Sequence, residues 1–432
     1  MLLEKLQKNL ELLKKKNLFL DKDIIIFGAN APATVTIDFL ERHNIQVKAV
    51  IDNNTLLHGK NFFDIIINSP EKILEKFKSR ALILIASRYY EEMKQQVEKM
   101  GYEGDLHILQ TLDLSENVSY DTSLEKFDEM SKGVNEGLAV FERIQAKYNN
   151  PTIVMAPVRP NGDVYMISSY LPSYIQENKK SSKNDVILTV IGDSCEAVAK
   201  LFDIEFVEKL TIDESNNLAA YAAFLPQKIK VVGPYASHLE LYPNMDGYKG
   251  LNFVDEVKYG LLGLKEKNSN VFPRNEYRKT VVKKIFEKYE LEESNTVILA
   301  PYSNSIPRIK FDTWEKIANI LKDKGYVVCT NCGTPFEQPI KGTKAVNFSF
   351  RDAVAVTESA GYLIAYRSGF CDIIANSKCK KVIVYPHHFA GTISLKEFYG
   401  MKGELYRPEN LIEVEHNFAT TEELVAEIIK NF

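Results

Sequence analysis

The chain has 432 residues, well beyond the about 100–200 of one domain, so it must fold as more than one unit. It is 45% hydrophobic, 11% aromatic and 26% charged, the composition of a globular protein with apolar material for several cores, which excludes a disordered chain. The 54 Lys+Arg and 58 Asp+Glu sum to −4 with no long block of one sign, which excludes a broad electrostatic surface for nucleic acid; any phosphate must be held locally.

The amino-terminal run MLLEKLQKNLELLKKK places Leu2, Leu3, Leu6, Leu10 and Leu13 at helical spacing among charges, unlike a secretion signal, and is expected to stay in the mature protein. Lys14 to Lys16 read as a solvated helix face, with contact to an anionic membrane surface as the alternative. No apolar run approaches a membrane span, the densest being Ala81 to Ala86.

From Asp23 short β-rich runs alternate with helical segments: DIIIF, a helix from about Ala33 to His43, VKAVI, ALILIA, and a helix around Glu91 to Met100. This alternation predicts a parallel sheet with crossover helices over residues 1–114. The first run ends in Gly28-Ala29-Asn30-Ala31-Pro32-Ala33 and the second in Asp52, the placement of a Rossmann dinucleotide fingerprint and its ribose-binding acid. Gly28, Asn30 and Asp52 are therefore nucleotide candidates. Asn30 and Ala33 replace the second and third glycines of that fingerprint, which weakens the cofactor reading more than the fold reading. Together with Ser69-Pro70-Glu71 and Tyr102-Glu103-Gly104, this segment resembles the small Rossmann-like domains of bacterial sugar-modifying and polysaccharide-assembly proteins.

Residues 115–149 are polar, then helical, and read as a connector. A second series covers residues 150–285: TIVMA, a helix after Asp163, VILTV, a helix from Cys195, an amphipathic stretch through Tyr221 to Leu225, and IKVVG. A third covers 286–432: TVILA, a helix from Thr313 to Lys324, YVVCT, a helix from Arg351 to Ser359, YLIAY, a helix from Phe370, and KVIVY. The expected fold is α/β, with three Rossmann-like parallel-sheet units, the last two facing across a cleft where ligands sit beyond the carboxyl ends of the strands.

Cys195, Cys329, Cys332, Cys371 and Cys379 are odd in number and irregular in spacing, which argues against a disulfide framework and for a reducing compartment. Cys329-Thr-Asn-Cys332 has no second pair to complete a zinc site and reads as small residues ending a strand. After YLIAY, Arg367-Ser368-Gly369 opens a helix; free backbone N–H groups and a two-pronged cation there suit a diphosphate, and the alternative is a helix start whose Arg pairs with a carboxylate. After TVILAP come Ser303, Asn304, Arg308 and Lys310, a hydroxyl, an amide and two cations on one loop. Glu337 follows a strand as a candidate for a ribose hydroxyl, otherwise a solvated acid; His387 and His388 follow VIVYP as candidates for a base or an acceptor, otherwise surface histidines. His238 has no assignable role, and no P-loop, HExxH, GxSxG or Asp-x-Asp motif is present, so neither cofactor nor metal is expected.

Two stretches, VILAPYSNSIPRIKFDTWEKIANILKDKGYVVCTNCG and AVAVTESAGYLIAYRSGFCDIIANSKCKKVIVYP, resemble the carboxyl-terminal half of lipopolysaccharide heptosyltransferases and related GT-B glycosyltransferases. VMAPVRPNGDVYMISSYLPSYI resembles the opening strand, Gly-Asp loop and first helix of that family, and FVDEVKYGLLGL the segment leading to the donor half. The resemblance, from about Pro151 to Pro386, implies a GT-B cleft and a nucleotide-diphosphate sugar donor. It further implies a glycan or lipid-linked acceptor in envelope or capsular polysaccharide assembly, inverting chemistry, and a cytoplasmic enzyme with peripheral membrane contact left open. It makes Asp163, of Asn161-Gly162-Asp163, the general base, with an ordinary helix-capping aspartate as the alternative, and Lys310 or Arg308 the cation at the departing diphosphate. Where the heptosyltransferases carry an Asp before the small-Gly pair and a later His, this chain has Arg367 and Asp372, which counts against a heptose donor and leaves Asp372 a donor-sugar candidate. The departure also supports a second reading, a non-catalytic nucleotide-sugar or glycan-binding scaffold or sensor. A third reading, an NAD-dependent first domain, is opposed by Asn30 and the lack of a catalytic Tyr-x-x-x-Lys there.

Overall fold

The computed structural model describes all residues except 1, 78–80, 86, 88, 110–123, 179–184, 234–251, 274–278, 304–305, 307–308, 335–336, 387–393, 402–405, 407–409 and 417–419. The first sheet holds β1 (Asp23–Phe27), β2 (Val47–Ile51), β3 (Asn61–Phe62), β4 (Ile65–Asn68), β5 (Ala81–Ile85) and β6 (Asp105–Ile108) in the order β3-β4-β2-β1-β5-β6. All pairs are parallel except the β3–β4 hairpin. Successive side chains of β1 enter opposite cores, as strand geometry requires. Ile24 and Ile26 pack with Leu6, Leu10 and Leu13 of the amino-terminal helix (Leu2–Lys15), while Ile25 and Phe27 pack with Ile73, Met93 and Val97. The leucine stripe is thus the cover of one sheet face, and the strand is apolar from Ile24 to Phe27 because both its faces are covered.

The second sheet holds β7 (Thr152–Met155), β8 (Val186–Ile191), β9 (Val207–Leu210) and β10 (Ile229–Val231), all parallel, in the order β10-β7-β8-β9. The third holds β11 (Thr296–Ala300), β12 (Val327–Asn331), β13 (Lys344–Val346), β14 (Gly361–Tyr366), β15 (Lys380–Pro386) and β16 (Leu411–His416), all parallel, in the order β13-β12-β11-β14-β15-β16. In all three the opening strand lies inside the sheet, with the next strand on one side and a later one on the other. That reversal opens a crevice at the carboxyl ends of the central strands.

The second and third units share one continuous apolar cluster, from Val154 and Val164 to Leu299 and Val384. Phe253, between them in the chain, packs at a tilt against Tyr399 at 4.8 Å and edge-on against Phe398 at 6.0 Å between ring centroids. Among the described residues no helix is long and apolar enough to cross a membrane.

The connector is a helix over Leu124–Lys147 that belongs to the second unit, packing on the helix Ile212–Ala222. Their backbones meet at Gly137, where a Cβ would lie 2.0 Å from the Asn217 carbonyl oxygen, and Arg143 pairs with Glu214 at 2.6 Å. Alanine at an exposed helical site improves on glycine by about 1 kcal/mol. At Gly137 the backbone clash wins. Gly137→Ala is expected to lower unfolding stability in urea by about 1–3 kcal/mol, the usual cost of overpacking, and a variant as stable as the parent would show that the two helices are not in backbone contact.

Candidate functional site

The loops after β7 and β14 bring two helix starts together, that of Asn161–Glu177 and that of the short helix Gly369–Ile373. A Cβ on Gly162 would lie 2.4 Å from Asp372 Oδ2 and 3.1 Å from Gly369 Cα, and a Cβ on Gly369 would lie 2.5 Å from the Gly162 nitrogen. Both positions therefore require glycine, because the backbones of two units touch there. The expected motifs Asn161-Gly162-Asp163 and Arg367-Ser368-Gly369 meet at this seam.

Asp163 is 6% exposed and occupies the third position of its helix, not the cap, which is Pro160. A carboxylate in a first helical turn is favoured by the helix dipole. Burial pushes the Cys195 thiol up to about 11, with Asp163 adding to the rise, and burial followed by Asp163 drives the Tyr399 phenol above its ordinary value. The acid thus lies within electrostatic reach of Cys195 on its own unit and of Tyr399 on the third. Neighbouring Asn161 accepts from Ser194 Oγ at 2.8 Å, which ties the loop after β7 to the helix after β8.

Arg367 and Asp372, 6% and 1% exposed, form a two-pronged pair: Nη1 to Oδ2 and Nη2 to Oδ1, each at 2.8 Å. Arg367 Nη1 also donates to the Ser368 carbonyl at 2.6 Å and Nε to the Tyr399 carbonyl at 3.0 Å, while Tyr406 OH donates to Asp372 Oδ1 at 2.9 Å. The guanidinium is paired inside the protein, and Asp372 faces that pair and the seam. Ser368 caps the short helix in extended conformation without a side-chain capping hydrogen bond.

On the other loop Ser303 is 9% exposed, and Lys310 caps the helix Phe311–Asp323, its ammonium engaged by the first unit. Asn304, Arg308, His387, His388 and His238 lie outside the described residues. Glu337 Oε2 accepts from the Gly333 N–H at 2.6 Å and closes its own loop. Cys329 lies in β12 and Cys332 just beyond it; both are buried free thiols, raised by burial to about 12 and about 11. Among the described residues no group of three or more His, Cys, Asp and Glu is placed to hold a metal ion.

In the first unit the positive φ of Gly28 (109°) makes the turn after β1, and Asp52 closes on it. Oδ2 accepts from the Ala29 N–H and Oδ1 from the Asn54 N–H, both at 2.7 Å. Asn30 caps the helix Ala31–Arg42 by accepting from the Ala33 N–H at 3.1 Å. A side-chain amide pair between Asn53 and Gln96, at 2.8 and 2.9 Å, bridges the same crevice. All three nucleotide candidates take part in the internal hydrogen bonding of this loop.

Tyr399 and Tyr406 were not legible as seam residues, since nothing local in sequence marks a residue that reaches an ion pair more than 30 positions away. Removing Arg367 would leave Asp372 charged and buried, a loss that costs about 3–5 kcal/mol when one partner of such a pair is deleted. Arg367→Met is expected to lose that much in denaturant unfolding, and Arg367→Met with Asp372→Leu to recover most of it. Equal losses in the two variants would contradict the pairing.

Residues 20–108 match the family model described as C2185-like, N-terminal. No curated protein matches the chain. Among solved structures the chain is similar to ADP-heptose lipopolysaccharide heptosyltransferase II of E. coli, at 14% identity and a TM-score of 0.43 over 65% of this chain and 98% of that one. It is also similar to E. coli heptosyltransferase WaaC with ADP, at 10% identity and 0.39 over 65% and 99%, and to a family 9 glycosyl transferase of Veillonella parvula, at 14% and 0.39 over 65% and 88%.

Proposed function

We propose that the chain is a glycosyltransferase drawing its sugar from a nucleotide-diphosphate donor, with transfer at the seam between the second and third units. The observation that carries this reading is the position of Asp163: a buried carboxylate in the first turn of the helix after β7, directly beside the Gly162–Gly369 contact. Switch-point crevices of two parallel sheets meet there, where such folds bind ligands. A carboxylate at that point suits removal of a proton from an acceptor hydroxyl as the diphosphate leaves, which corresponds to inverting transfer. The two helix starts offer backbone N–H groups and positive dipole ends to the charge that develops on the leaving diphosphate. A glycan or lipid-linked acceptor in polysaccharide assembly is the finer reading, supported by the sequence resemblance of the last two units and of the first.

A donor at the seam requires the glycine contact to part. The closed contact and the internal pairing of Arg367 favour the second reading, in which the same fold binds a nucleotide sugar or glycan without transferring it.

Both readings expect binding, and only one expects turnover. A nucleotide sugar at about a hundred times its Kd should stabilise the protein by about 2.7 kcal/mol in a thermal-shift panel. Asp163→Asn is expected to retain that shift while sugar transfer falls by about 10²–10⁴-fold, the usual worth of a general base. Unchanged turnover in the variant would remove Asp163 from the base role, and binding without sugar release on prolonged incubation of the unmodified protein would establish the second reading.

A further inference from the structure

The β3–β4 hairpin turns through Phe63 and Asp64, both with positive φ, at 54° and 61°. A bulky residue such as phenylalanine rarely adopts that conformation, and strain of this kind persists where the surroundings enforce it. What the turn reaches is Lys310 of the third unit. The Lys310 ammonium donates to the Phe63 carbonyl at 2.8 Å and to Asp64 Oδ2 at 3.1 Å, and Glu41 Oε1 lies 3.2 Å away. An ammonium has three N–H donors. Three oxygens of the first unit face them, and the Lys310 side chain is only 16% exposed. Two flanking contacts complete the junction: Thr421 Oγ1 donates to Asp64 Oδ2 at 3.4 Å, and Arg42 lies over the Phe311 ring at 5.1 Å.

The two carboxylates differ in how they respond. At Asp64 burial works against the charge, but the hydrogen bond and charge of Lys310 outweigh it and the carboxyl lies below its ordinary range; at Glu41 burial wins and the carboxyl is raised.

Lys310 also stands at the end of the loop that follows β11, the central strand of the third sheet, where a cation would serve a diphosphate. We propose that the first unit docks in cis as a competitor for that diphosphate, its Glu41 and Asp64 carboxylates holding the ammonium that a donor's phosphate oxygens would engage. Docking of the first unit and donor binding then oppose each other, and the first unit serves as an inhibitory cover. The inference rests on the proposed glycosyltransferase reading and on taking Lys310, of the two cations the sequence resemblance offers, as the one that faces the donor's diphosphate.

The test titrates inorganic pyrophosphate into the full chain by calorimetry. Glu41→Gln with Asp64→Asn, which keeps the shape of both side chains, should bind pyrophosphate about tenfold more tightly than the parent, and adding Lys310→Gln should abolish the gain. Affinity in the double variant equal to or weaker than the parent, or a gain that survives Lys310→Gln, overturns the proposal. On the unmodified protein, hydrogen exchange at Phe63 and Asp64 should quicken at saturating pyrophosphate, and unchanged exchange overturns it equally. Failure of the underlying reading looks different: a tenfold pyrophosphate gain that depends on Lys310, with no nucleotide sugar turned over, would refute transfer while leaving the competition standing.

Discussion

The seam depends on the Arg367–Asp372 pair. A helix of five residues does not hold itself together, since helix nucleation is unfavourable and short helices lean on tertiary contacts. Gly369–Ile373 is held from both ends: Arg367 precedes it, Asp372 lies within it, and the fork between them spans its length. Tyr406 and the Tyr399 carbonyl tie the same two groups to the rest of the third unit. That fixes where Gly369 is presented, and with it the backbone contact to Gly162 and the place of Asp163 beside it. Both ions are out of water, where desolvation is severe, so the pair is weak evidence of net stabilisation. Its consequence is positional: one arrangement of the loop after β14 satisfies every bond.

The three sheets share one plan, with the opening strand inside the sheet. In each, the reversal of strand order opens a crevice at the carboxyl ends of the central strands. In the first unit Asp52 takes the backbone N–H groups of Ala29 and Asn54, and Asn53 pairs with Gln96. That unit's outward resource is the strained hairpin turn directed at Lys310. The second and third units set their crevices against each other, merge their apolar cores and leave Asp163 at the junction.

Much of this was legible in the amino-acid order. Strands buried on both faces, such as DIIIF, VILTV, TVILA and KVIVY, are near-continuous apolar runs, and each forms where that pattern predicts. The strands missed include VEKL at β9 and LIEVEH at β16, which lie at sheet edges and mix charged with apolar residues, and the short strands NF, IIIN, DLHI and KAV at β3, β4, β6 and β13. The helix expected after Asp163 begins two residues before it, because Pro160 caps it without a side-chain hydrogen bond to announce the start. The two glycine motifs of the seam were expected from sequence to face one cleft, and the fold brings their backbones into contact. What sequence could not decide was pairing. Arg367 with Asp372 in sight left two readings open, and only the fold shows the fork closed. The partners of Lys310 lie 246 and more positions away, beyond the reach of any local pattern.

On the function proposed above, a nucleotide diphosphate binds between the starts of the helices Asn161–Glu177 and Gly369–Ile373. The most direct measurement is a crystal structure of the chain with the nucleoside diphosphate that stabilises it most. The account predicts the diphosphate between Gly162 and Gly369, the two backbones parted, and Asp163 facing the vacated sugar position. A diphosphate bound elsewhere, with the glycine contact unchanged, would contradict it.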